Sequence, residues 1–377
     1  MEISSIIPNY QPLPLPAPLW LLTTLLIVGF YLHVLPMNVI LGGSFLASFM
    51  FFKSAHDKSS RMYEAAKNLA SILPIFVSFT ITQGIVPLLF LQLLYGPMFY
   101  TSSIIMAVPW IGIIALLIAA YYGCYFVIYR LFKQNKEHEN AVAIGLVLLF
   151  SCVLFMLIGL TFSSNMLLMV HPEKWLEYYN HSSNGMNFHL QDRQLMPRYL
   201  HFFLSAIAVA GLFMGYLGTR KVANEPEQAT WQIKTGAQLF SVITTMQVGV
   251  GFFFLFSLPR ELSRQFMSGE GLMSWVFFAS LALSVVSIIL GYTAASTGNP
   301  KHLKATFHTT LLVILTMVLN RHFLRESMLS TYIKPESLTV QPQWDLLGIF
   351  ILSAVGLIVY LVWLVKVTKP NVVAEAE

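Results

Sequence analysis

Charged side chains are scarce in this sequence. Only 10% of its 377 residues are Asp, Glu, Lys or Arg, and 56% are hydrophobic. An average soluble domain is about 25% charged. A chain of this composition cannot cover a water-facing surface, so we exclude a soluble globular protein. The basic residues are dispersed among the loops, so we expect no nucleic-acid partner.

Cysteine is almost absent as well. The two cysteines, Cys124 and Cys152, both lie inside apolar runs. This count excludes a disulfide framework, a Cys-based zinc site and the C-x-x-C-H motif that attaches haem covalently.

Carboxylates are missing from the apolar segments. All 17 Asp and Glu residues lie in tails, in loops or at the ends of apolar runs. Proton relays and ion-coupled transporters usually place carboxylates at mid-membrane depth, so their absence argues against both classes. A transporter built on backbone and hydroxyl groups stays open as the weakest alternative.

The long apolar runs that are present predict an all-α polytopic membrane protein. A membrane-crossing helix needs about 20 apolar residues, and about nine such segments recur along the chain. They form one transmembrane domain, 17–368, between two short tails, 1–16 and 369–377. The expected spans are 17–52, 68–95, 103–130, 141–170, 198–220, 232–258, 272–297, 302–325 and 344–368.

The distribution of basic residues predicts the orientation of these spans. Fourteen of the 22 Lys and Arg residues lie in the loops after spans 1, 3, 5 and 7, in the C-terminal tail, or at the span ends next to them. Cytoplasmic loops carry this excess, so the N-terminus lies outside and the C-terminus in the cytoplasm. The connection 171–197 is then periplasmic. It is too polar to be buried, and we expect it to dock a partner.

Histidine is the polar residue that remains within the predicted spans. Four of the ten histidines lie there: His33, His201, His308 and His322. A single intramembrane histidine is often only a hydrogen-bonding residue between helices. Four of them in a membrane domain without carboxylates favour the interpretation that these histidines are ligands of haem iron.

Two of these histidines share one predicted helix. His308 and His322 are 14 residues apart, which falls about 40° short of four full turns and spans about 21 Å. The spacing predicts two b-type haems, one above the other across the bilayer. Arg321 could pair with a haem propionate, or its side chain could simply extend to the interface.

Each haem needs a second axial ligand at a matching depth. His201 and His322 both lie about 12–13 Å outward of their helix centres, which predicts the outer pair. His33 is the expected partner of His308, although the pair requires a shift of span 1 by about 10 Å. Met246 is a rival partner for His33.

Three stretches of residues 17–220 resemble subunit I of the cytochrome bd quinol oxidases. They are "HVLPMNVILG" from His33 to Gly42, "RYLH" from Arg198 to His201, and "SSNMLLMVHPE". In that family, a His of the first helix and a His of the fifth ligate haem. The resemblance implies a haem-binding subunit of the bacterial inner membrane that exchanges electrons with quinol.

The chain also departs from that family. The stretch "GPMFYTSSIIMAVPWIGII" lacks the family's acidic residues, and the long quinol loop is reduced to "PRELSRQFMSGEG", 259–271. Two bis-His haems leave no open axial position, so we expect no oxygen reduction. In the short loop, Glu261 could accept a quinol proton and Arg260 could hold a quinone oxygen. The plainer interpretation is an exposed pair at a helix end.

These observations predict a b-type cytochrome that passes electrons between the membrane quinone pool and a periplasmic redox protein, such as a c-type cytochrome. Further membrane subunits are compatible with this prediction. The alternative is a haem-free quinone-binding anchor, similar to the membrane subunit of polysulfide reductase. In that case the four histidines pack helices or bind quinone.

Overall fold

A computed structural model of the chain describes Ile7 and residues 13–133 and 140–367. The predicted tail 369–377 lies outside the described residues, and so does most of the tail 1–16.

Long α-helices make up almost all of the described chain. In lipid, a helix is favoured because it satisfies its own backbone hydrogen bonds. The helices are α1 Leu19–Lys53, α2 Arg61–Ile105, α3 Ala107–Lys133, α4 Ala141–Met169, α5 Trp175–His181, α6 Leu195–Thr219, α7 Pro226–Ser257, α8 Arg260–Met267, α9 Gly271–Thr297, α10 Pro300–Leu329 and α11 Trp344–Val367.

Eight of these helices are long and apolar enough to cross a membrane: α1 to α4, α6, α7, α9 and α10. This result confirms the predicted all-α, multi-pass membrane architecture.

Polar caps and prolines mark several helix starts. The Ser60 hydroxyl accepts the backbone N–H of Tyr63 at 3.2 Å, and Pro300 occupies the first turn of α10 after the Asn299 cap.

One expected loop is helical. The sequence predicts that the second span ends at residue 95 and the third begins at 103. Instead α2 continues to Ile105 across a kink, where Tyr95 has φ −132° and ψ 29°. Pro97 lies two residues beyond Tyr95. Its ring removes a backbone donor and clashes with the preceding turn, which bends the helix without ending it.

Glycines allow the helices that carry the site to approach closely. A Cβ added to Gly42 of α1 would lie 1.9 Å from the carbonyl oxygen of Ala206 in α6. A Cβ added to Gly236 of α7 would lie 2.4 Å from the carbonyl oxygen of Gly211 in α6. Small residues at such crossings are typical of membrane helix pairs, which depend on van der Waals contact. They place α6 between α1 and α7.

The bundle has two ends with different connections. At one end, Arg61 bonds Glu227 and Lys221 bonds Glu225. At the other, Leu15 forms a parallel bridge with Val340, so the chain before α1 contacts the α10–α11 connection. We call this second end the connection end. It comprises residues 13–18, 170–194, 258–270 and 330–343.

Candidate functional site

A large cavity lies among α1, α6, α7, α9 and α10, in the half of the bundle nearer the connection end. The cavity volume is about 200 Å³, so the cavity takes a group much larger than a water molecule. Its wall is mainly apolar and aromatic, as in most ligand sites. The aromatic side chains are Phe30, Phe202, Phe240, Phe252, Phe254, Phe266 and Phe277.

Polar atoms without partners gather in this apolar wall. Eleven buried side-chain nitrogen and oxygen atoms of the described residues have no hydrogen-bond partner. Five of them belong to residues that line the cavity: Asn38 Oδ1, Arg198 Nε, His201 Nδ1, Thr244 Oγ1 and Asn320 Oδ1. Buried polar groups are rarely left unpaired, and polar groups of a ligand in the cavity would satisfy these atoms.

His201 enters the cavity from α6. Its Nε2 lies 3.4 Å from Nε2 of Gln247, and its Nδ1 has no partner. Gly251 faces the ring, because a Cβ added there would lie 3.2 Å from His201 Cε1. A larger residue at position 251 would occupy the space beside the imidazole. The imidazole therefore has only one long polar contact in the described structure, and no side chain of residue 251 covers its Cε1 edge.

Two arginines line the cavity without a carboxylate partner within ion-pair distance among the described residues. The Arg198 guanidinium lies 5.1 Å from the Phe254 ring centroid, and the Arg321 guanidinium lies 4.2 Å from that of Phe30. Cations in an apolar wall are costly unless an anion pairs with them. The two carboxylates of a haem are anions of this kind, so the donor set fits the group predicted from the sequence.

Met317 of α10 lines the same cavity as His201. Thioether sulfur is a haem ligand when paired with histidine. Sequence reasoning missed Met317, since one methionine among 17 in apolar segments carries no signal of its own. It considered Met246 instead, whose side chain is 56% exposed on the bundle surface.

His322 and His308 differ in environment, although they share α10. His322 is buried, but it is not among the residues that line the cavity. Its Nδ1 accepts a bond of 2.8 Å from Arg325, and its Nε2 lies 3.1 Å from Glu326. His308 is exposed. The predicted outer pair of His201 and His322 stays a prediction, and the cavity offers Met317 as a competing ligand.

His33 faces α2 rather than α10. Its Nδ1 lies 2.9 Å from the Thr80 carbonyl oxygen, and a Cβ added to Gly84 would lie 2.8 Å from the ring. A carbonyl on one nitrogen is the usual way to orient a metal-binding imidazole through the other.

The depth of His33 does not match that of His308. The neighbouring Val34 packs with Ile314 and Val318 of α10. His308 lies six to ten residues from those two, about 9–15 Å along the helix. In this structure, α1 is therefore not shifted to the depth at which His33 and His308 could bind the same haem.

The connection 171–197 corrects one expectation. We predicted that it is too polar to be buried, yet four of its polar residues are buried: Asn187, His189, Asp192 and Gln194. Burial is possible because these groups bond one another and the helix ends. Asn187 Nδ2 donates to the Ile105 carbonyl at 3.0 Å, and His189 N–H donates to Ser164 Oγ at 2.8 Å.

Asp192 is the centre of this buried network. Its Oδ2 lies 3.1 Å from His189 Nε2 and 3.5 Å from His171 Nε2, and its Oδ1 accepts the Gln194 backbone N–H at 2.8 Å. Burial alone raises the pKa of this carboxyl, but the bonds from His189 and Gln194 outweigh it and hold the pKa well below its usual value. The Gln194 side chain in turn accepts a weak bond of 3.4 Å from Arg198 at the cavity.

The two residues predicted to act on quinol lie on the short helix α8, so the expected loop 259–271 is mostly helical. Arg260 and Glu261 are both exposed. Arg260 faces a separate surface pocket together with Arg193 and Arg264, and Glu261 is not among the residues that line that pocket. Their predicted role with quinol stays a prediction.

Comparison with known proteins adds no family assignment. No protein-family model matches the chain, and no curated protein matches it. The resemblance to subunit I of cytochrome bd therefore stays a prediction that depends on the quoted motifs.

Proposed function

We propose that this chain is a b-type cytochrome of the bacterial inner membrane that transfers electrons between the quinone pool and a periplasmic redox protein. The cavity is the haem site, with His201 and Met317 as the ligands supplied by α6 and α10. The observation that carries the proposal is the group of unpaired polar atoms around His201 in an otherwise apolar cavity.

Bound haem supplies one-electron chemistry, and the residues of the chain determine how it is held. Arg198 and Arg321 would pair with its carboxylates, which would remove the cost of two half-buried cations in an apolar wall. The aromatic wall excludes water, which tunes the reduction potential of an iron site. Gly251 leaves space beside the His201 ring.

A second haem at His33 remains part of the proposal. The contact with the Thr80 carbonyl and the space at Gly84 suit a ligand imidazole. In this arrangement of helices, the exposed His308 is not the second axial ligand beside His33. We favour a site in which another subunit supplies that second ligand.

We also propose nine spans with the connection end outside. α11 has 24 residues, about 36 Å at 1.5 Å per residue, which exceeds the roughly 30 Å of the hydrocarbon core. The excess of basic residues in the loops after spans 1, 3, 5 and 7 places that side in the cytoplasm. The periplasmic partner then docks at the connection end.

A haem-free quinone site is the second candidate. Asn38 Oδ1 and Thr244 Oγ1 lack partners and line the same cavity near the middle of the bundle. The Thr244 hydroxyl and the Asn38 amide are suitable donors for quinone carbonyls. This candidate explains those two residues, but it leaves Arg198 and Arg321 without an anion.

The test is the haem content of purified His201→Ala, measured as the pyridine haemochrome. We expect the variant to lose the haem of the cavity. His302→Ala is the matched control, because His302 bonds Thr297 at the opposite end of the bundle. Equal haem in both variants would contradict the proposed ligand.

A further inference from the structure

A second pocket opens at the connection end, where α7 meets α8. Its volume is about 350 Å³. Arg193, Arg260 and Arg264 line it, and no Asp or Glu does. None of these arginines has a carboxylate within ion-pair distance in the described parts of the chain. Three like charges around one pocket repel one another, so an anion that binds there is stabilised.

The arginines are held by the fold. Arg193 Nε donates to the Ser257 carbonyl at 2.7 Å, and its Nη2 donates to the Leu258 carbonyl at 2.8 Å. Arg260 and Arg264 are four residues apart, so they lie on one face of α8.

The helix α8 that carries two of these arginines is itself anchored to neighbouring elements. Ser263 Oγ donates to the Leu255 carbonyl at 2.7 Å, and the Phe266 side chain is buried against Phe277. The backbone that carries Arg260 and Arg264 is therefore fixed beside the pocket, so an anion that binds there has to order only their side chains.

Apolar surface continues from this pocket down the outer face of α7. Phe256 lines the pocket and is 64% exposed, and Phe253 and Phe252 are 59% and 37% exposed further along the helix. The rings of Phe252 and Phe256 stack on each other. In a helix that crosses the membrane, such a surface contacts lipid chains. The pocket thus joins a cationic site to a hydrocarbon-facing surface.

We propose that this pocket binds the phosphate of an anionic phospholipid. Guanidinium groups form charge-assisted hydrogen bonds with phosphate oxygens, and three of them converge on one pocket. The phenylalanines of α7 contact the acyl chains, which a free phosphate ion does not possess. None of the three arginines is assigned to haem, although Phe252 also lines the cavity of His201.

The experiment is native mass spectrometry of the full-length protein, titrated with phosphatidylglycerol or with phosphatidylcholine of the same acyl chains. We expect tighter binding of phosphatidylglycerol by about tenfold, because both lipids carry the phosphate but the arginines repel the choline cation of phosphatidylcholine. The double variant Arg260→Gln/Arg264→Gln removes that preference. Arg220→Gln retains it, since Arg220 is an exposed arginine at the opposite end of the bundle.

Other occupants give different results. Equal binding of the two lipids by the unaltered protein would overturn the proposal, and so would an unchanged preference in the double variant. Displacement of the lipid by millimolar inorganic phosphate would indicate a free-anion site instead. Displacement by a neutral quinone analogue would overturn the phosphate assignment and favour the predicted quinol site around Arg260.

Discussion

Gly42→Ala tests the contact that sets the distance between α1 and α6. The added Cβ would lie 1.9 Å from the Ala206 carbonyl oxygen and 2.3 Å from its carbonyl carbon. Ordinary contact begins at 3.4 Å, so the helices must part by about 1.5 Å. The obstructing atoms are backbone, which no side-chain rotation can move aside. Overpacking of this kind costs about 1–3 kcal/mol.

The consequence extends to the cavity, because Ala206 lies on the same helix as His201. A displaced α6 moves the imidazole relative to α7 and α10, so we expect weaker haem binding as well as lower stability. The matched control is Gly249→Ala on α7, where an added Cβ meets nothing within 4 Å. That change should leave stability equal or slightly higher, since alanine favours a helix.

The assay is thermal unfolding of both variants in the same detergent, with haem absorbance recorded on each preparation. We expect Gly42→Ala to lower both Tm and haem content relative to Gly249→Ala. Equal Tm values would show that the close approach of α1 and α6 does not limit stability. A lower Tm with unchanged haem would separate the helix contact from the site.

Three further predictions concern individual residues. Met317→Leu should change the reduced spectrum and lower the midpoint potential of the haem, whereas His322→Ala should leave both unchanged; the reverse result would support the outer pair predicted from the sequence. Glu261→Gln should slow haem reduction by a quinol analogue in rapid mixing while haem content stays constant, and an unaltered rate would remove Glu261 from the reaction. Asp192→Asn should lower the free energy of unfolding by about 1–3 kcal/mol at neutral pH. The folded pKa of Asp192 lies below its unfolded value, so its stabilising effect is present above about pH 4 and is lost as pH falls further. Chemical denaturation across that range should show the two proteins converging at low pH, and a constant difference would contradict the role of the ionised carboxylate.

The membrane architecture was predictable because apolar length alone decides it. Helices of about 20 apolar residues can be predicted from composition, and eight of the nine predicted spans correspond to such helices in the structure. The continuation of the helix through Gly96 and Pro97, where the sequence predicts a loop, was not predictable. A proline there is compatible with a helix end or with a kink, and only the contacts of the buried Tyr95 and Phe99 show which applies.

Side-chain environments were harder to predict than helices. The 14-residue spacing of His308 and His322 places them near one face of an isolated helix. Neighbouring helices end and cross at different heights, so one ring is buried beside Arg325 and the other is exposed. Tertiary contacts likewise bring Met317 to the cavity of His201, and they bury the polar connection around Asp192.

The most direct test of the central claim is the visible spectrum of the unaltered protein, purified after expression with adequate haem supply. The account predicts a dithionite-reduced minus oxidised spectrum with the alpha band of b-type haem, at a stoichiometry of at least one haem per chain. A colourless preparation with a normal unfolding transition would contradict it and would favour the haem-free quinone site.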